Sequence, residues 1–206
     1  MGILFHFILG FITSFLGTVF PSMLSMTTVK ISVRDNQRKA ISFAAGVSLI
    51  VIAQAYMAIV FSKILVSDPG YLITLQKLGT FIFIGLSIYF FYQTLKAKRK
   101  QANEQKKKIK GFVSGVLFSL INMFAIPFYV AATSSFVVLD WYSFNPINNL
   151  SFVLGSSLGT FTLLFLYSQL AKKIEKRIDR LANQMDLILG IVTALVAIFN
   201  TIDLLL

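Results

Sequence analysis

The octapeptide SFAAGVSL occupies residues 42–49, and a closely similar one, SFVLGSSL, occupies residues 151–158. The two share Ser, Phe, Gly, Ser and Leu in the same order, 109 positions apart. Each begins a long apolar stretch, and small residues in such stretches let neighbouring helices pack closely. Gly46 and Gly155 are therefore predicted to be helix-packing positions. The repetition also indicates an internal duplication.

The composition around these octapeptides is typical of a membrane protein. Of the 206 residues, 56% are hydrophobic and only 13% are charged, whereas soluble domains carry roughly 25% charged residues. A helix needs about 20 apolar residues to cross the hydrocarbon core. Runs without Lys, Arg, Asp or Glu cover residues 1–29, 40–62, 78–95, 111–139, 150–171 and 187–202. The sequence thus predicts an all-α integral membrane protein with six transmembrane helices.

The basic residues indicate how these helices are oriented. Residues 30–39, 96–110 and 172–180 hold 17 of the 19 Lys and Arg side chains. Because short loops rich in Lys and Arg stay on the cytoplasmic side, the expected topology has both termini outside. This rule accounts for the net charge of +11 without a nucleic-acid partner. Membrane lipids are the expected surroundings, and the small-residue faces permit a homodimer without requiring one.

Further matches in the same order extend the duplication. GFIT at Gly10 resembles GFVS at Gly111, and Gly85 corresponds to Gly190, at offsets of 101 and 105 positions. The predicted repeats are residues 1–110 and residues 111–206, with three helices each. An odd number of helices makes the second repeat enter the membrane from the opposite side, as in many secondary transporters. The alternative is that small residues recur only because they favour helix packing.

Two prolines predict interrupted helices, and interrupted helices supply free backbone groups for a substrate. Pro21 and Pro127 fall inside the first and fourth runs, where each removes a backbone hydrogen bond. Asn122 lies near the second proline and, at the 101-residue offset, corresponds to Pro21. The predicted substrate-binding residues are Thr18, Pro21, Ser22, Gln54, Asn122 and Pro127. The alternative is a plain proline kink whose Ser and Thr side chains bond their own backbone.

The first run also carries a periodic set of hydroxyl side chains. The members are Ser14, Thr18, Ser22 and Ser25. Their spacing of three and four residues predicts one polar stripe along a helix that continues past the proline.

Asp186 is the candidate for proton coupling, because proton relays in membranes use titratable side chains. The alternative is that Asp186 only stabilises the N-terminal end of the last helix. The chain has no cysteine and a single histidine, and the six runs contain no acidic residue. No metal site, cofactor or nucleophile–base pair is therefore predicted, and no enzymatic activity is expected.

Five stretches of the chain resemble the LysE/RhtB family of small bacterial amino-acid exporters, over essentially the whole length and in the same order. They are FLGTVFPSMLSM (15–26), RDNQRKAISFAAGVSL (34–49), LQKLGTFIFIGLSIYF (75–90), GFVSGVLFSLINMFAIPFYV (111–130) and MDLILGIVTALVAIF (185–199). The resemblance implies an inner-membrane exporter with inverted repeats. It also implies that amino acids or similar small zwitterions move outward in exchange for protons.

The chain departs from the pattern of this family at both predicted breaks. Where the family usually has a Pro-Gly-Pro type of break, the sequence reads Phe20-Pro21-Ser22. Where the family usually has Asn-Pro, Asn122 is followed by Met, and the proline is displaced to Pro127. Two other functions stay open from the residues alone: a metal-ion exporter of related architecture, and a non-transport membrane scaffold or membrane enzyme.

Overall fold

A computed structural model describes the backbone of residues 2–19, 22–67, 84–85, 87–88, 91–92, 111–122 and 124–205. Beyond residue 174, it describes side chains at residues 190, 191, 194, 195, 197, 198, 201 and 202. All regular structure in these ranges is helical. The helices are α1 (Ile3–Thr18), α2 (Met23–Arg34), α3 (Gln37–Ser67), α4 (Gly111–Ile121), α5 (Ala125–Val138) and α6 (Pro146–Leu205).

Two of these helices are long and apolar enough to cross a membrane, and the number rises to four if each of two bent pairs is one span. The single helices are α3 and the part of α6 from Pro146 to Ile174. Helices α1 and α2 turn by 76° at their junction, and α4 and α5 turn by 64°. These four correspond to the first, second, fourth and fifth predicted spans. Most of the third predicted span, at residues 78–95, lies outside the described residues.

Helix α6 does not follow the predicted division. The sequence predicted separate fifth and sixth spans, at residues 150–171 and 187–202, but the backbone is helical throughout Pro146–Leu205. Asp186 therefore lies inside a helix, and the interpretation that it stabilises a helix start is wrong. Its side chain lies outside the described residues.

The breaks also differ from the predicted ones. Helix α4 ends at Ile121 and α5 begins at Ala125, so Pro127 lies in the first turn of α5. A proline there breaks no intrahelical hydrogen bond, because the first N–H groups of a helix have no intrahelical acceptor. The predicted hydroxyl stripe is also divided, since Thr18 ends α1 and Ser22 precedes α2 across a sharp turn. Pro21 itself lies outside the described residues.

The chain divides into two compact units, Met1–Ser67 with Ile109–Ile178, and Asp68–Lys108 with Asp179–Leu206. In the first unit, α3 packs against α2, α4 and α5. Its core includes the fully buried side chains of Phe43, Phe152 and Leu164. In the second unit, the Ser87 hydroxyl donates to the carbonyl of Gly190, 3.2 Å away.

Glycines bring α3 and α4 of the first unit into backbone contact. A Cβ on Gly46 would overlap the carbonyl oxygen of Phe112. A Cβ on Gly115 would overlap the carbonyl oxygen of Phe43. The two helices can pack this closely only because both positions lack a side chain.

Helices α1 and α6 make the same kind of contact. A Cβ on Gly155 would overlap the carbonyl oxygen of Phe7, and a Cβ on Gly10 would overlap that of Phe152. Each α6 residue here lies 109 positions after its counterpart in α3. Each α1 residue lies 105 positions before its counterpart in α4. Adding 109 to the residue numbers in α3 and subtracting 105 from those in α4 therefore turns both α3–α4 contacts into the two α1–α6 contacts.

A third pair of contacts follows the same offsets. Ser62 of α3 and Ser134 of α5 have their hydroxyl oxygens 2.8 Å apart. Ala171 lies 109 positions after Ser62, and Val29 lies 105 positions before Ser134. Ala171 and Val29 pack together in a buried cluster. The relation thus extends across both bent pairs.

The contacts correct one alignment made from the sequence. They relate Gly10 to Gly115, at an offset of 105, and not to Gly111. They likewise leave Asn122 and Pro21 out of register with each other. The match of GFIT with GFVS misled because short runs of Gly, Phe and small residues recur in any tightly packed membrane helix.

Candidate functional site: buried polar groups at the helix breaks

Four hydroxyl side chains meet in the interior of the first unit, where α1, α5 and α6 approach one another. This hydroxyl cluster consists of Ser14, Tyr129, Ser156 and Thr160. The oxygen of Ser14 lies 2.7 Å from that of Tyr129 and 2.5 Å from that of Thr160. The Ser156 hydroxyl donates to the carbonyl of Gly10 at 3.3 Å, and all four side chains are buried. Such groups are tolerated in an apolar interior only when hydrogen-bonded.

The hydroxyl cluster lies beside both helix breaks. Ser14 is one turn from the end of α1, and the hydroxyl of Thr18 donates to its carbonyl oxygen at 2.8 Å. Tyr129 lies in α5, little more than one turn after that helix begins. Any change in either break would therefore move a member of the cluster.

Three further polar residues form an amide cluster where α4 ends. The members are Gln54, Ser119 and Asn122. The side-chain Nε2 of Gln54 donates to the carbonyl of Ser119 at 2.8 Å. The backbone N–H of Asn122 donates to the same carbonyl at 3.1 Å. The Ser119 hydroxyl in turn donates to the carbonyl of Val47 at 3.4 Å, which ties the break to α3.

One atom of the amide cluster lacks a hydrogen bond. Gln54 is 4% exposed, and its Oε1 is buried without a donor among the described residues. Since Nε2 has a carbonyl as its acceptor, the orientation of the amide is fixed and Oε1 is the free acceptor. Buried acceptors are nearly always satisfied. A ligand with an N–H or O–H group would supply the missing donor.

The remaining predicted site residues are less enclosed. Thr18 is half-buried, whereas Ser22 and Pro127 are exposed. The Ser22 hydroxyl lies 3.3 Å from that of Ser25. The structure thus brings Gln54 and Asn122 together. It places the exposed Ser22 at the start of α2 and the exposed Pro127 at the start of α5.

Tyr129, Ser156 and Thr160 were not predicted as site residues from the sequence. Ser156 and Thr160 are four positions apart, so they share one face of α6, and this spacing was a usable signal. Nothing in the sequence showed that Tyr129 would face the same point, because that contact spans 115 positions of the chain.

The described residues contain no group of three His, Cys, Asp or Glu side chains that could bind a metal ion. The chemistry that the two clusters offer is hydrogen bonding by neutral hydroxyl, amide and carbonyl groups.

A family model described as LysE type translocator matches residues 15–203 of the chain. No curated protein and no solved structure matches it.

Proposed function

The chain belongs to the LysE type translocator family, and on that premise we propose that it exports amino acids or similar small zwitterions in exchange for protons. As a member of this family it is a multi-pass membrane transporter, not an enzyme. The substrate class, the proton exchange and the direction of transport are the proposed parts.

The free Oε1 of Gln54 is the observation that carries the proposal. A substrate ammonium group has several N–H donors and no acceptor, so it complements this atom. The Asn122 side chain and carbonyl groups at the end of α4 lie close in the chain to the same point. A zwitterion bound here would supply the donor that the buried Oε1 of Gln54 lacks among the described residues.

The hydroxyl cluster suits the other end of a zwitterion. A carboxylate accepts hydrogen bonds, and the hydroxyls of Ser14, Tyr129 and Thr160 can donate to it once they turn away from one another. Neither cluster contains a charged side chain. We assign the ammonium to the amide cluster because Oε1 of Gln54 is an acceptor, and the carboxylate to the hydroxyl cluster because hydroxyls can donate.

Inverted repeats and alternating access form the mechanism we propose. The repeats are residues 1–110 and 111–206, with three helices each. The shared offsets of 109 and 105 positions, found in three pairs of contacts, support this division. Transport would consist of one repeat rocking against the other around the bound substrate.

The remaining expectations are proposals of the same kind. The basic loops support a bacterial inner-membrane location with both termini outside. Asp186 stays a proposed proton-coupling residue on the grounds of the sequence, and a homodimer stays a proposal as well.

Amino-acid counterflow into proteoliposomes tests the proposed function. A lost hydrogen bond to a charged group costs about 1.5–3 kcal/mol, so Gln54→Met should weaken substrate binding roughly tenfold or more. Asn122→Ala should reduce counterflow in the same direction. Gln169→Met is the matched control, because Gln169 is exposed on α6. Wild-type flux in both site variants would remove the amide cluster from the site, and no flux of any amino acid in the wild type would refute the substrate class.

A further inference from the structure

We propose that His6 takes up a proton during transport, in addition to the role proposed for Asp186, and that its protonation opens the end of the first unit at which α1 begins. The proposal rests on the proposed function, because it supplies the proton step of that exchange. His6 is the only histidine of the chain. It is also the only side chain in residues 1–29, 40–62, 111–139 and 150–171 that ordinarily titrates near neutral pH.

The imidazole is enclosed and incompletely hydrogen-bonded. His6 is 1% exposed. Its Nδ1 lies 3.1 Å from the carbonyl oxygen of Gly2, whereas Nε2 has no partner among the described residues. Because a carbonyl only accepts, Nδ1 must carry the hydrogen, and this hydrogen bond assigns the tautomer. The lone pair of Nε2 is therefore free to receive a proton.

Aromatic rings close the site. The ring of Tyr142 lies edge-on to the imidazole, with centroids 5.2 Å apart, and that of Phe5 does so at 5.8 Å. Tyr142 belongs to the segment between α5 and α6 and is itself buried. Its hydroxyl donates to Oδ1 of Asn149 at 2.8 Å, which holds the segment against the start of α6.

No charged group of the packed elements offsets an imidazolium at this position. Helix α1 has no other titratable side chain from Ile3 to Thr18, and the first charged residue of α6 is Lys172. Asp140 is the charged residue of the connecting segment and is exposed. Burial raises the pKa of the Tyr142 phenol, so the phenol stays neutral near neutral pH and provides no counter-charge.

Protonation therefore changes which conformation is favoured. A proton from water forms a new N–H bond at Nε2, and the imidazole becomes a cation that is buried without an acceptor. Such a charge is costly in an apolar site. The cation is more stable once the segment around Tyr142 has moved away and water reaches the ring. Release of the proton to water restores the neutral ring and the closed packing, which provides the two states that an exchange cycle needs.

The first experiment observes the protonation directly. Because the chain contains one histidine, isotope-labelled histidine gives a single imidazole signal by NMR in lipid nanodiscs, with a purification tag free of histidine. As the pH is lowered from about 8.5 to about 5, we expect the signal of the neutral Nδ1–H tautomer to be replaced by that of the imidazolium. An imidazole that stays neutral throughout this range overturns the proposal. This measurement needs no variant, so it holds even if substitutions at His6 impair folding.

The only tryptophan of the chain reports the accompanying movement. Trp141 precedes Tyr142 and stacks on Phe136, with ring centroids 6.3 Å apart. Its fluorescence should change over the same pH range as the imidazole signal in the wild type. His6→Gln should abolish this change, whereas Phe15→Leu, at a residue of α1 that stacks on Phe11, should retain it. A pH response that persists in His6→Gln also overturns the proposal.

Transport then tests the coupling. In proteoliposomes, the ratio of efflux driven by a pH gradient to counterflow without a gradient should fall about tenfold or more in His6→Gln, because only the gradient-driven process needs the proton step. Wild-type flux without proton movement would retain the exporter and refute the role of His6. If the wild type moved no amino acid, the proposed function would fail, and the NMR titration would still decide whether His6 binds a proton.

Discussion

The hydroxyl oxygen of Ser14 lies 2.7 Å from that of Tyr129, which joins the end of α1 to the start of α5. Each helix belongs to a different bent pair, so this hydrogen bond connects the two breaks of the first unit. We expect the position of either break to be communicated to the other through it.

Tyr129→Phe removes this bond and keeps the ring. We expect counterflow to fall roughly tenfold, and the free energy of unfolding to fall by only about 1 kcal/mol, since a neutral hydrogen bond contributes about that much. The exposed Tyr56 of α3 provides the control, because Tyr56→Phe deletes a hydroxyl of the same kind outside the cluster. Equal transport by the two variants would exclude the Tyr129 hydroxyl from the substrate pathway.

Gly46→Ala and Gly155→Ala should both destabilise the protein, because each added Cβ would overlap a backbone carbonyl of the facing helix. Overpacking of this kind costs about 1–3 kcal/mol. Thermal unfolding in detergent, followed by size-exclusion chromatography, measures the loss. Gly85→Ala is the matched control, since a Cβ at Gly85 meets none of the described residues within 4 Å. If Gly46→Ala lowered thermal stability and Gly155→Ala did not, the two positions would not be structurally equivalent.

Gln54→Met should leave the free energy of unfolding unchanged or raise it. The substitution removes the unpaired Oε1 from the interior. The carbonyl of Ser119 also keeps its bond from the N–H of Asn122. A buried polar atom without a partner costs about 1–3 kcal/mol, so its removal offsets the lost bond from Nε2. A large loss of thermal stability would show that Oε1 has a partner in the folded protein.

Tyr142→Phe should change how stability depends on alkaline pH. Burial raises the pKa of Tyr142 above its ordinary value of 10.0. Below pH 10.0, the ordinary pKa of a tyrosine, the phenol is neutral in both folded and unfolded chains. Above it the unfolded chain loses the proton first, so folding stability falls as the pH rises.

Tyr142→Phe has no ionisable phenol, so it lacks this loss of folding stability at alkaline pH. Its deficit relative to wild type, which comes from the lost bond to Asn149, should therefore shrink between about pH 9 and pH 11. Thermal unfolding at several pH values measures the difference. A deficit that stays constant over this interval would contradict the prediction.

The sequence was a good guide to the helices and a poor guide to where they break. Apolar runs around SFAAGVSL and SFVLGSSL predicted the helices of α3 and the first half of α6, because the solvent preference of a segment is a local property. The sequence predicts a break at Pro127, yet this residue lies in the first turn of α5. A proline is compatible both with a kink and with a helix start, and only the three-dimensional arrangement distinguishes them.

The site was predicted in part. Gln54 and Asn122 could be selected as polar residues in apolar runs, since polar side chains inside a membrane are costly and therefore usually functional. That both bind the carbonyl of Ser119 could not be read from the sequence. Gln54 and Ser119, which are 65 positions apart, meet only when the helices that carry them have packed.

By itself, the sequence determined the class of the protein, its family and the two glycine-containing octapeptides, because composition and local pattern fix which segments can enter a membrane. Only the tertiary structure decided that Gly10 corresponds to Gly115, and that Tyr129 meets Ser14. These relations depend on the register between helices. Register is set by close packing over the whole interface, and no short stretch of sequence contains that information.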